Sequence, residues 1–223
     1  QRQMCIRDSL NLPAHAEKLL DSVLEVNKNA VLYMVSGYPY AFDSRKLCAA
    51  MHICHAGPAM GAAVAGSLFG DFSPAGRCPI TWYADSQDLC DIRDYNIIRT
   101  KSTYLYFTGK PLFPFGHGLS YTSFEYGTPR LSARQLSSDS VLTVEIDIRN
   151  TGIVDADEVV QLYVAPPKLP IPLPRKQLKA FARINVPKGR TETAKLTLDI
   201  STLGFYDVNT GAQEVYSGEY AIM

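Results

Sequence analysis

Residues 110–126, KPLFPFGHGLSYTSFEY, decide how this 223-residue chain is organised. Two prolines, two glycines and five Phe or Tyr side chains fall within 17 positions. Pro111 and Pro114 lack backbone donors and fix φ, so the stretch is neither a helix nor a central strand. Gly116 and Gly118, on either side of His117, permit positive φ and close backbone approach. Phe113, Phe115, Tyr121, Phe124 and Tyr126 offer apolar faces to both sides. The expectation is an extended, aromatic-studded connector that packs down between two domains.

Upstream of it the chain reads as α/β. Pro13 suits a first helical turn, and Leu19, Leu20, Val23, Leu24 and Val26 then recur at helical spacing. Residues 30–36, AVLYMVS, form an apolar run of strand length, suited to a parallel strand covered on both faces. A short helix over 44–50, a second apolar strand over 50–54 and a helix from Gly57 to Gly70 follow. Trp82 and Tyr83 end a further strand, so about three strands of an incomplete sheet are expected. Residues 85–107 have no clean period and read as an irregular crossing segment.

Downstream the pattern changes to period two. In residues 140–149, Leu142, Val144, Ile146 and Ile148 share one face, while Val141, Thr143, Glu145 and Asp147 share the other. Asn150-Thr151-Gly152 turns the chain. Strands are expected over 158–165, 177–186, 191–198, 204–206 and 214–222, the spacing of a β-sandwich.

Three of these stretches carry a resemblance. Residues 111–126 resemble the segment that joins the α/β domain of family-3 glycoside hydrolases to a fibronectin type III-like domain. Residues 68–83, LFGDFSPAGRCPITWY, are similar to the family's LFGD-x-x-P-x-GRLP-x-T run, departing at Cys78, where leucine is usual. Residues 150–164, NTG-x-x-x-x-DEVVQLYV, resemble the fibronectin-like domain itself. The resemblance implies an α/β sandwich fragment, a partial and mostly parallel sheet with helices, followed by an all-β fibronectin type III-like sandwich. The expected division is 10–84 for the α/β part, 85–120 for the connector and 121–223 for the sandwich. Residues 1–9 have neither an apolar h-region nor the Glu- and Asp-rich loop of the family, and read as a non-native scar. Both ends are expected to be truncated.

Composition excludes several classes. Lys plus Arg equals Asp plus Glu at 22 each, so no net field favours nucleic acid or an anionic membrane. No window holds the roughly 18 apolar residues of a membrane span. Five cysteines without a CxxC pair make a poor disulfide framework and lean towards a reducing, cytoplasmic compartment. Most are expected to be buried thiols.

Retaining glycosidases need two carboxyl groups about 5–5.5 Å apart. In the resembled family the nucleophilic aspartate lies on an N-terminal (β/α)8 barrel, which no segment here matches. The acid/base glutamate is implied in the loop before the helix at Leu12, where QRQMCIRDS holds no glutamate. No catalytic residue is therefore assigned, nor any cofactor or metal. Asp43, Asp71, Asp85 and Asp91 read as caps or turn acids. His52, Cys54 and His55 fall short of a zinc set, and only His55, at a strand end, is at a ligand position. The 57–66 stretch lacks a P-loop, and its small residues read as close helix-to-sheet packing. Trp82 reads as a packing anchor rather than a sugar platform, and His117 as a backbone partner. The proline-rich residues 166–175 read as an extended loop docked on the neighbouring domain of their own protein.

Two functional readings remain at this point. One is a fragment of a retaining β-glycosidase acting on terminal non-reducing β-linked sugars, with an oligosaccharide or glycoside substrate in the full-length protein, a missing barrel domain, and no activity alone. The alternative is a non-catalytic accessory or interaction module. An uncovered sheet edge and apolar face further predict a poorly soluble or marginally stable chain.

Overall fold

The computed structural model describes residues 10–207 and 210–223; the stretch read as a scar lies outside them. It is sheet-rich with few helices, and its contacts divide it into two units. Of the described residues, the first comprises 10–69, 78–103 and 107–117; the second comprises 70–77, 104–106, 118–207 and 210–223.

In the first unit, α1 (Ala14–Val26) starts on the Pro13 carbonyl, which accepts from Ala16 and Glu17 N–H. Pro13 occupies the cap rather than the first turn, because its ψ of 140° is extended. Leu24 is the buried residue of this helix, and Leu19, Val23 and Val26 are exposed. The strands β1 (Val31–Val35) and β2 (Ala49–Ile53) pair in parallel, Val31 opposite Ala49 and Val35 opposite Ile53. Between them the expected helix over 44–50 is only a 3-10 turn, Ser44–Lys46. The sheet is not covered on both faces: Val31 and Val35 are exposed.

The helix α2 (Met60–Phe69) buries Gly66 and Ser67. A Cβ built on Gly57 or Gly61 would meet nothing within 4 Å, so these two glycines do not mediate the close packing read from the sequence. The third strand expected near Trp82 is also absent as a strand. Trp82 makes an isolated antiparallel bridge with Phe113 instead. Pro79, Pro111 and Pro114 surround that bridge and cannot donate to a ladder, so the pairing stops after one residue on each side.

The second unit has two antiparallel sheets. One orders β11 (Ala221–Ile222), β6 (Ala156–Ala165) and β7 (Gln177–Val186). In the other, β5 (Val141–Asn150) pairs with β3 (Phe124–Tyr126), β4 (Arg130–Leu131) and β8 (Thr191–Asp199). Strands β9 (Phe205–Asp207) and β10 (Ala212–Glu214) form a separate pair. Of the strand read over 214–222, only Glu214, the last residue of β10, and the two residues of β11 are strand, with Gly218 between them. Leu142, Val144 and Ile148 of β5 share one apolar core with Val160 and Leu162 of β6 and Leu196 of β8. The period-two reading of β5 selects these inward residues.

The Asn150 turn closes this core from one end. Asn150 is wholly buried, and its Nδ2 donates to the Val154 and Val186 carbonyls at 2.8 Å each. Its Oδ1 accepts from Thr122 Oγ1 at 2.5 Å and Gly152 N–H at 3.1 Å. Both amide donors and both acceptor positions are used, which is what permits a primary amide at zero exposure.

Candidate functional site

Residues 114–117 form a tight turn: His117 N–H donates to the Pro114 carbonyl at 3.0 Å, and Gly116 sits at φ 81°. That left-handed φ is the conformation glycine adopts without Cβ strain. Gly116 N–H and His117 C=O bond the Cys78 main chain at 2.8 and 2.7 Å, joining the two long motif runs. Gly118 meets the second requirement expected of it, since a Cβ there would collide with the Gly76 carbonyl and the Arg77 side chain.

An aromatic cluster is built on this turn. The His117 ring stacks on Phe113 at 5.2 Å between centroids, and Phe113 meets Trp82 edge-on at 5.8 Å. Trp82 is 5% exposed, and its indole N–H donates to the Tyr40 carbonyl at 2.7 Å. Buried and hydrogen-bonded, its face is closed to a sugar ring, so it is the packing anchor read from the sequence. The His52 ring stands edge-on to Trp82 at 5.0 Å.

His52 Nε2 lies 3.1 Å from both Ser36 Oγ and the Ser36 carbonyl. Ser36 Oγ in turn donates to the Tyr38 carbonyl at 2.7 Å. A Ser–His contact of this length invites a nucleophile–base reading, but the serine proton is already given to a main-chain oxygen. Cys54 lies beyond the end of β2, and His55 is exposed. Among the described residues no three His, Cys, Asp or Glu side chains are grouped to hold a metal ion.

The acids singled out in the sequence occupy local turns. Asp43 accepts from Arg45 N–H at 3.2 Å and pairs with its guanidinium at 2.8 Å. Asp91 does the same with Arg93, at 2.9 and 2.7 Å. Asp85 caps the next 3-10 turn by accepting from Gln87 N–H at 2.9 Å. Asp71 is exposed just after α2. The arginine hydrogen bonds hold the Asp43 and Asp91 carboxyls below their ordinary range. A glycosidase acid needs the opposite shift.

The cysteines depart from expectation. Cys48, Cys54 and Cys90 are exposed, and Cys78 is intermediate. Cys48 sits beside the Ala30 carbonyl, to which its thiol donates at 3.0 Å. Burial pushes the Cys78 thiol above its usual value.

The second unit contains a buried ion pair that the sequence reading missed. Arg77 Nη2 donates to both carboxylate oxygens of Glu158, at 2.8 and 2.7 Å. Arg77 Nη1 lies 3.2 and 3.1 Å from the Ala75 and Gly76 carbonyls, to which it donates. Tyr126 O–H donates to Glu158 Oε1 at 2.9 Å. Burial, then the Glu158 charge, pushes the Tyr126 phenol well above its ordinary value. Glu158 is 6% exposed because it lies on the inward row of β6 with Ala156, Val160, Leu162 and Val164. That row was readable: an acid among inward apolar residues demands a cation.

The end of the proline-rich residues 166–175 is bonded within the second unit itself. Arg175 N–H donates to the Leu105 carbonyl at 2.8 Å, and Tyr104 O–H accepts from Leu178 N–H at 3.1 Å. Tyr104 meets Tyr163 edge-on at 6.3 Å, with Lys176 Nζ 4.4 Å from the Tyr163 ring centre. Burial and the neighbouring Tyr104 push the Tyr163 phenol up to about 12.

Comparisons with known proteins match the chain in two stretches. Residues 4–121 match the model of the glycosyl hydrolase family 3 C-terminal domain, and residues 158–223 match the fibronectin type III-like domain. A beta-glucosidase of Rhizobium radiobacter is 33% identical over 96% of this chain and 28% of its own length. A xylan 1,4-beta-xylosidase of Xylanibacter ruminicola is 34% identical over 97% of this chain and 25% of its own. Among solved structures, the beta-glucosidase DesR of Streptomyces venezuelae, in complex with D-glucose, has a TM-score of 0.86 at 28% identity. It is covered over 29% of its length by 97% of this chain. The family-3 beta-glucosidase of Bifidobacterium adolescentis has a TM-score of 0.88 at 26% identity, with 97% of this chain covering 34% of it. The chain thus spans about a quarter to a third of the proteins it resembles. With the family model matched across the whole first motif-bearing stretch, this chain belongs to glycosyl hydrolase family 3, to its C-terminal portion.

Proposed function

We propose that this chain supplies the C-terminal portion of a retaining β-glycosidase that removes terminal, non-reducing β-linked sugars. The nucleophile and the acid/base are carried by polypeptide outside these residues, the first on a barrel domain. In this reading the first stretch is a piece of an α/β sandwich, followed by a fibronectin type III-like sandwich. The substrate is a β-glucoside or β-xyloside, following the activities named for the relatives, and the 223-residue chain alone does not hydrolyse it.

The observation that carries this reading is the state of the acids. Asp43 and Asp91 are ion-paired turn residues held ionised, and Glu158 is neutralised by Arg77. None is paired with a second carboxyl group in the way that retention requires. The test is an assay of aryl β-glucoside and aryl β-xyloside hydrolysis by the purified chain, and by the longest polypeptide encoded in frame with it. The longer protein is expected to release the phenol and the chain is not. Turnover by the chain overturns its inactivity; a silent, folded barrel-bearing protein overturns the glycosidase reading.

A further inference from the structure

We infer that Gly70–Arg77 is a strap seated on the second unit by a charge key, in which Arg77 is the key and the inward carboxylate of Glu158 is the lock. The segment has no regular secondary structure, so no helix or ladder hydrogen bonds fix its path. Three contacts hold it instead. Tyr121 N–H donates to Ser73 Oγ at 2.9 Å. The Gly76 carbonyl lies against Gly118, where a side chain would not fit. Arg77 reaches Glu158, 81 residues further along the chain.

The first two contacts join neutral groups. The third joins two charged ones. Its guanidinium is shared between the carboxylate and the strap's own Ala75 and Gly76 carbonyls, so one side chain both folds the strap and docks it. Arg77 and Glu158 side chains are 13% and 8% exposed, and the titratable or charged groups bonded to the carboxylate are Arg77 and Tyr126. A carboxylate buried to that degree without its cation carries a desolvation cost that its phenol partner does not offset. The pair therefore selects one seating of the strap over others rather than adding simple stability, the use best attested for buried polar groups.

The experiment uses the full 223-residue chain. In the wild type, Arg77 is expected to resist trypsin and the Tyr121 amide to exchange slowly. Glu158→Gln keeps the shape and removes the charge; the expected result is cleavage after Arg77 and exchange at Tyr121 faster by on the order of a hundredfold. A second variant, Arg77→Met, leaves the buried carboxylate without its cation, so its charged form is no longer compensated. Stability of that variant falls as pH rises above the ordinary glutamate value, and adding Glu158→Gln removes the slope. A merely space-filling arginine produces no such slope. Should Glu158→Gln not fold, Arg77→Lys serves, because it keeps the charge but not the splayed donors; faster Tyr121 exchange is expected there too. Unchanged trypsin resistance in Glu158→Gln, unchanged Tyr121 exchange in Arg77→Lys, or a flat pH profile in Arg77→Met each overturns the inference.

Discussion

Asn150 and Val186, 36 residues apart, are joined inside the second unit by a 2.8 Å hydrogen bond from the amide Nδ2 to the main-chain carbonyl. The same side chain satisfies Val154, Thr122 and Gly152. Asn150→Ala strips all four partners at a position with no access to water. Each orphaned buried group costs about 1–3 kcal/mol, partly relieved by relaxation, so a loss of roughly 3 kcal/mol is expected. Urea unfolding followed by far-ultraviolet circular dichroism measures it, and a loss below roughly 1 kcal/mol would contradict the four-bond account.

The single tryptophan reports on the first unit alone. With Trp82 5% exposed and packed against His52 and Phe113, its emission is expected to be blue-shifted and poorly quenched by acrylamide. Trp82→Ala removes a large buried side chain and its bond to Tyr40, at a cost of about 3–5 kcal/mol. Emission at the wavelength of free tryptophan in the native chain would refute the packing described here.

Thiol reactivity should sort by environment. Cys48, Cys54 and Cys90 are exposed and alkylate first. Cys78 is half-buried with its thiol pushed up by burial, so less thiolate is present at any given pH. A time course of iodoacetamide labelling at pH 8, read by peptide mass, is expected to leave Cys78 last among the four described cysteines. Early labelling at Cys78 contradicts its placement.

Acid sensitivity has a defined direction at Asp147. Hydrogen bonds from Arg130, then Thr193, take its carboxyl down to about 2. A depressed folded-state value means that stability is fully present above the unfolded value near 4 and is lost as pH falls towards 2. Asp147→Asn should therefore flatten the acid-unfolding curve within that window and leave the curve above pH 5 unshaped by this group. Because the site is solvent-screened, the effect is expected to be small. An unaltered acid limb in the variant would show that Arg130 and Thr193 do not bind Asp147 in solution.

Legibility in the sequence followed the range of the interaction. The strands β5, β6, β7 and β8 are long enough for a period of two to show, and the inward row of β5 is the buried one. The strands β3 and β4 have three and two residues, too few to carry a period, and went unread. Apolar runs misled where tertiary cover was assumed: AVLYMVS makes β1, but Val31 and Val35 remain exposed. The glycines of residues 110–126 were readable as a pair, Gly116 meeting the need for a left-handed φ and Gly118 the need for close approach, although the approaching residues, Gly76 and Arg77, were not. The aromatic cluster of His52, Trp82, Phe113 and His117 was not, since three separate segments meet there. Glu158 lay between these cases. Its inward position was visible in the alternation of β6, whereas Arg77 as its partner was not, at a separation of 81 residues.

The charged face of β5 has one more effect. Glu145 lies opposite Lys195, and Asp147 binds Arg130, while Leu142, Val144 and Ile148 point the other way. A slip of one residue against β8 exchanges the two rows, forcing two carboxylates inward and three aliphatic side chains out. The strand therefore carries its own alignment check, because a slipped pairing buries charge and exposes apolar surface at once.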